Sequence, residues 1–147
     1  MAYNLNRFLK MQDKYYSLAL KEIKAGKKKT HWIWFIFPQL KGLGVSDYSK
    51  YYGIDGLNET KAYMQENVLR ARLIEITNTL ANQEQSSLVS IVGDVDALKI
   101  HASMTLFFIA TKELCFKKVL IKYFNGELHP ETIKILRIKN YNINEVV

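Results

Sequence analysis

Chain breakers and thiols are scarce in this sequence: 147 residues hold one cysteine, two prolines and seven glycines. The lone thiol, Cys115, has no internal partner, which excludes a disulfide-stapled secreted fold and suits a reducing compartment. With no low-complexity stretch and no self-similarity at repeat periods, the chain offers no linker, and residues 1–147 read as a single domain. Long apolar runs are also missing. The longest, Trp32 to Phe37, is far shorter than the roughly 20 residues a bilayer requires, so no membrane association is expected. Met1 to Lys10 lack the apolar core and cleavage site of a secretory leader, and a cytoplasmic location is the expectation.

Familiar signatures are absent as well. Histidines at 31, 101 and 129 with one cysteine show no metal-ligand spacing, so no metal site is expected. No glycine-rich phosphate loop and no dinucleotide fingerprint appear, and no cofactor is expected. Gly44-Val45-Ser46-Asp47-Tyr48 begins like a nucleophile elbow but lacks the second glycine and the preceding strand.

What is present is apolar mass and positive charge. Residues are 48% hydrophobic, enough for an ordinary core at this length, and the net charge is +7 with a pI near 9.4. That charge suits an anionic partner such as a nucleotide, nucleic acid or membrane surface, and equally suits a merely soluble basic protein. The densest cluster is Thr30-His31-Trp32-Ile33-Trp34-Phe35-Ile36-Phe37-Pro38-Gln39, which holds both tryptophans. Its aromatic run belongs in the core, and His31 and Gln39 at its edges must either be satisfied within the fold or line a pocket.

Periodicity places helices over most of the chain. Leu5, Phe8, Leu9, Gln12, Tyr16, Ala19, Leu20 and Ile23 form one stripe, which Gly26 ends. The Lys27-Lys28-Lys29 run that follows reads as a solvated turn. Trp32 to Phe37 reads as a short buried helix, because no second strand is available to pair with it. Brief helical turns are expected from Ser46 or Asp47 to Tyr52 and from Ser86 or Ser87 to Gly93, and a helix capped by Asn58. Leu69, Leu73, Ile76 and Leu80 mark another helix. Asp94 should cap one from Val95 to about Ala110, with Leu98, Ala102, Thr105 and Ile109 inward. Phe116 to Tyr123 and a helix after His129-Pro130 complete an all-α bundle of about seven helices, with a frayed tail over 139–147.

Asp96, Lys99 and Ser103 fall at i, i+3 and i+7 of that predicted helix, within a stripe about 60° wide. A carboxylate, an ammonium and a hydroxyl on one stripe could hold an anion, or could be a surface pair beside a helix contact. His31, Gln39 and Tyr52 carry the same two readings. Cys115 precedes Phe116 and Lys117-Lys118 and reads as a small buried hydrophobe.

Several of these elements together resemble a bacterial and fungal family, domain of unknown function 1810, sometimes mislabelled calpastatin. The resemblance rests on Arg7, Phe8 and Gln12, on Lys28 and His31 to Gln39, and on Gly42-Leu43-Gly44 with Ser46 and Tyr52. It continues through Asp96, Lys99 and Ser103 to Phe107, and spans about Arg7 to Leu136. It implies a mainly α-helical fold and no established activity. Similar sequences usually have a basic residue and a serine where this chain has His101 and Ala102, so neither is assigned a role.

The functional expectation is a pocket for a small anionic, nucleotide-like or phosphorylated ligand. Trp32, Trp34 and Phe37 would wall it, and Gln39, Ser46, Tyr52, Lys99 and Ser103 would contribute polar contacts. In an enzyme acting on a nucleotide or ADP-ribose-type bond, His31 or Asp96 would be the general acid or base. The alternative is a non-catalytic interaction module whose basic surface binds nucleic acid or an acidic protein.

Overall fold

Nine α-helices and one isolated β-bridge make up residues 3–139, the part of the chain described by this computed structural model. Helix α1 (Asn6–Lys24) buries Phe8, Gln12, Ala19 and Ile23 and half-buries Leu9, Tyr16 and Leu20, with Leu5 half-buried at its N-cap, the stripe its spacing dictates. Gly26 terminates it at φ +76°, a conformation that costs glycine little.

The tryptophan-rich run folds as one turn, α2 (Ile33–Ile36). Its bonds run from Ile36 N–H to Trp32 O and from Phe37 N–H to Ile33 O, both 3.1 Å, and Pro38 then forces extended chain. Here Leu40 bridges Ile54 in parallel: Lys41 N–H donates to Ile54 O at 2.8 Å and Ile54 N–H to Gln39 O at 2.9 Å. These bonds close a loop that carries α3 (Asp47–Tyr52), capped by Ser46 Oγ, which accepts from Ser49 N–H at 3.1 Å.

Helix α4 (Gly56–Gln65) starts two residues before Asn58, which is therefore inside its first turn and not its cap; Gly56 at φ +79° makes the earlier start possible. Helix α5 (Asn67–Ala81) buries Leu69, Leu73, Ile76 and Leu80 as expected. Ser87 caps α6 (Leu88–Val92), and Gly93 at φ +89° leads into α7 (Asp94–Thr111). Asp94 is the first residue of α7 and makes no side-chain cap bond, because Gly93 already occupies the capping position. Helices α8 (Leu114–Phe124) and α9 (Pro130–Ile138) follow, α8 ending on Asn125 in the left-handed conformation and α9 starting on Pro130.

The count is nine among the described residues, where the sequence reads as about seven, because the two brief turns hold as helices α3 and α6. Each has a serine cap and two buried side chains, Ser49 and Tyr52 in one, Leu88 and Ile91 in the other. The tail expected to fray lies, beyond Lys139, outside the described residues.

Helix α7 is the central element. It packs against α8, α4, α6, α9 and α2, and is apolar around most of its circumference from Ile100 to Ile109. Its first turns project past this core, which corrects one expectation: Leu98 is 62% exposed, whereas Ala102, Thr105 and Ile109 are buried. Deep in the same bundle lies an ion pair. Arg7 Nη1 stands 2.8 Å from Glu59 Oε2, both side chains nearly covered; Arg7 also donates to Tyr51 O at 2.9 Å and Gly53 O at 3.1 Å. Gln12 donates to Phe35 O at 2.8 Å and to the Tyr63 hydroxyl at 3.0 Å, tying α1 to α2 and α4. No described helix is long and apolar enough to cross a membrane.

Candidate functional site

The site is built from the turn after α1, and one buried carboxylate shapes that turn. Glu22 Oε1 accepts from Lys29 N–H at 2.8 Å, Thr30 N–H at 3.1 Å and Trp32 Nε1–H at 3.0 Å, while Oε2 accepts from the Thr30 hydroxyl at 2.9 Å. Burial opposes ionisation here, yet these four bonds outweigh it and hold the carboxyl at about 2. Sequence reasoning passed over Glu22, although an acid on the buried side of an amphipathic stripe, beside Ala19 and Ile23, was a visible signal.

Held by that turn, Lys28 is not the solvated charge expected. Its side chain is 7% exposed, and Nζ donates to Thr30 O at 2.6 Å and pairs with Asp96 Oδ2 at 2.9 Å. The other oxygen, Asp96 Oδ1, lies 3.5 Å from Lys99 Nζ, and Lys99 Nζ sits 4.1 Å from the centre of the Trp34 ring. Two ammoniums thus share one carboxylate, and each rests on an indole ring whose quadrupole attracts it, Lys99 on Trp34 and Lys28 Nζ 4.9 Å from the centre of Trp32.

Trp34 divides two clefts. On one side lies a cleft of about 330 Å³ lined by Trp34, Gln39, the Gly42-Leu43-Gly44 loop, Lys99, His129 and the carboxylate of Glu131, with Val95, Leu98 and Ile135 at its wall. On the other lies an aromatic cleft of about 420 Å³ lined by Met11, Tyr15, His31, Trp34, Phe35 and Tyr48. Trp34 and Tyr48 are nearly parallel, 12° apart with centroids at 6.5 Å, and Tyr48 and Tyr52 repeat this at 6° and 6.4 Å. His31 is exposed; besides the aromatic cleft it borders a shallow recess shared with Lys28, Lys29 and Asp96.

Of the residues expected at the site, His31, Trp34, Gln39, Asp96 and Lys99 gather around these clefts. Five others go elsewhere. Trp32 is fully buried, held by Glu22, and like Phe37 it is core and not pocket wall. Ser103 shares the stripe of Asp96 and Lys99, but within two turns that stripe descends into the core, and its hydroxyl is buried with no partner among the described residues. Ser46 is occupied as the cap of α3. Tyr52 lies beneath Tyr48 against Phe8 and Phe35; burial, then Tyr51 and Tyr48, raise its phenol above the ordinary range, so it stays protonated.

Sequence reasoning also missed His129, which α9 carries to the first cleft. Its Nδ1 accepts from Thr132 N–H at 3.3 Å and lies 2.9 Å from the Thr132 hydroxyl, which fixes the neutral tautomer with the proton on Nε2. His101 stacks on Phe124 at 4.0 Å and donates from Nε2 to Glu127 O at 2.8 Å, with the His129 ring 5.3 Å away. Burial lowers both imidazoles, and for His129 the proximity of His101 adds to it. The unfolded chain, with histidines near 6.5, takes up these protons first. Their contribution is therefore complete above about pH 6.5 and declines as the pH falls below it. Urea unfolding between pH 7.5 and 5 should show that decline, and His129→Asn, which keeps a capping acceptor but cannot titrate, should make it shallower.

Other chemistry finds little support here. Cys115 is half-buried, and burial, then Glu113, push its thiol to about 11, too high for a thiolate nucleophile at neutral pH. Among the described residues no group of three His, Cys, Asp or Glu side chains is placed to hold a metal ion.

The motif residues that meet at Trp34 are those carrying the family resemblance, and a family model described as a protein of unknown function, DUF1810, matches residues 2–136. The chain belongs to the DUF1810 family. The crystal structure of the conserved hypothetical protein Rv1873 from Mycobacterium tuberculosis is similar to it, with 40% sequence identity and a TM-score of 0.90. The similarity covers 92% of this DUF1810 chain and 97% of that one. No match was found among curated proteins.

Proposed function

We propose that this DUF1810 protein binds a small anionic ligand, nucleotide-like or phosphorylated, in the cleft that Trp34 and Lys99 line together. One observation carries the reading: Lys28 and Lys99 share the carboxylate of Asp96 and pair with no other acid among the described residues, Glu131 standing in the same cleft without pairing to Lys99, and Lys99 rests against the Trp34 ring at the cleft wall. The exposed part of the indole ring suits a planar base or sugar, the ammonium suits phosphate, and Gln39 and His129 line the same cleft with hydrogen-bonding groups. Asp96, engaged on both oxygens by cations, acts as a charge anchor. His31 makes no hydrogen bond among the described residues, but it lines the aromatic cleft on the other side of Trp34 and the shallow recess, not the cleft of Lys99, so it is not placed to act on a ligand seated there.

The test is a set of thermal melts with inorganic phosphate, sugar phosphates, nucleoside mono- and diphosphates and ADP-ribose. A panel member at 100 times its Kd should stabilise the wild type by about 2.7 kcal/mol through linkage. Lys99→Met should abolish that shift. Its own folding cost should stay within about 1 kcal/mol, because Lys28 still pairs with Asp96 and the lost pair is partly solvated. If no anion moves the wild-type melt, or if Lys99→Met responds as the wild type does, the reading fails.

A further inference from the structure

The exposed face of α1 carries a feature that the Lys99 cleft does not use. At 100° per residue Lys10, Lys14, Lys21 and Lys24 fall within an arc of about 80°, opposite the buried Ala19, and span about 21 Å along the axis. All four are exposed and none enters an ion pair among the described residues. The acids of the helix are committed elsewhere: Asp13 to Arg72 at 2.8 Å and Glu22 to the turn. Lys27 and Lys29, in the turn after the helix, are exposed as well. On the adjoining face Met11 and Tyr15 line the aromatic cleft, where Tyr15 is 37% exposed and Tyr48, across from it, 62% exposed.

We infer that this face binds single-stranded nucleic acid, its phosphates along the α1 lysines and unstacked bases against Tyr15, Tyr48 and the outer face of Trp34. A single strand presents regularly spaced anions together with accessible π faces, the pairing that stacking platforms within basic grooves recognise. A duplex offers the same phosphates but keeps its bases inside the stack, and an acidic peptide offers charge without repeated planar rings, so neither matches both halves of the surface. The inference is independent of the Lys99 reading, with which it shares Trp34 alone.

The experiment is fluorescence anisotropy with a labelled 20-nucleotide oligothymidylate across a sodium chloride series. The same oligomer as a duplex, polyglutamate, and vesicles of phosphatidylcholine and phosphatidylserine are run alongside. With about four lysines engaged, log K should fall against log salt with a slope near −3, about a 50-fold loss between 50 and 200 mM. Lys14→Glu combined with Lys21→Glu should weaken binding more than 10-fold and halve the slope. Tyr15→Ala should weaken it about 5-fold or more with the slope unchanged, while Tyr15→Phe, which keeps the ring, should bind like the wild type; melts establish that each variant folds. Lys99→Met should leave this binding intact, which separates it from the other cleft. The inference is overturned by no binding at 50 mM salt, by duplex or polyglutamate binding as tight as the single strand, by preference for the vesicles, or by Tyr15→Ala without effect.

Discussion

Replacing Glu22 with alanine is expected to cost about 3–5 kcal/mol of folding stability, one of the two largest effects in the molecule. The carboxylate accepts four hydrogen bonds, and its removal strands two backbone N–H groups, a hydroxyl and the indole N–H of the fully buried Trp32. Urea unfolding followed by circular dichroism measures the loss; a cost under about 1 kcal/mol would show that water replaces the carboxylate without penalty. Glu22→Gln is the informative companion, since its amide oxygen can keep some acceptor bonds but the charge is gone. The same carboxyl sets an acid limit. Its folded value of about 2 lies below the ordinary 4.5, so its stabilisation is complete above about pH 4.5 and is lost as the pH falls toward 2. The shift is equivalent to about 3 kcal/mol, and Glu22→Gln should flatten this low-pH segment while leaving the histidine segment below pH 6.5 in place.

The second large effect is expected at Arg7. Arg7→Met leaves Glu59 buried without its cation and should destabilise by about 3–5 kcal/mol. Paired replacement, Arg7→Met with Glu59→Met, should recover much of that loss, because most of the single-variant penalty comes from the orphaned charge and not from the absent attraction. A double-mutant cycle in urea gives the coupling directly; additive costs would mean that the two groups act independently. Arg7 also donates to Tyr51 O and Gly53 O, at the far end of the loop that presents Tyr48 and the Gly42-Leu43-Gly44 segment. Loosening it should therefore reduce ligand response at the Lys99 cleft, which the same melts would report.

How far this architecture was legible depends on the range of the interaction involved. The α5 stripe and the Asp96–Lys99 pair are local, written at helical spacing, and both appear where the spacing puts them. Lys28 was not legible as their partner, since its position depends on Glu22 bending the chain between them. The split between Trp32 and Trp34 was hidden for a related reason. In a run that is apolar throughout, no period marks which ring faces inward, and Glu22 on one side and Lys99 on the other decide it. Ser103 shows the limit of a helical wheel: angular position survives, but depth changes along the axis as α7 passes from cleft to core. His129 reaches the cleft only through the docking of α9, an arrangement that no local pattern encodes.

The division of labour between the two tryptophans also gives the protein a built-in pair of optical reporters. Trp32, sealed in the interior and bonded to Glu22, should emit toward the blue and resist a soluble quencher until the chain unfolds. Trp34, half-covered between two clefts with an ammonium on its face, should emit further to the red and be open to collisional quenching. A single emission spectrum, recorded with and without acrylamide, can then distinguish occupancy of the cleft from loss of the fold without any added label.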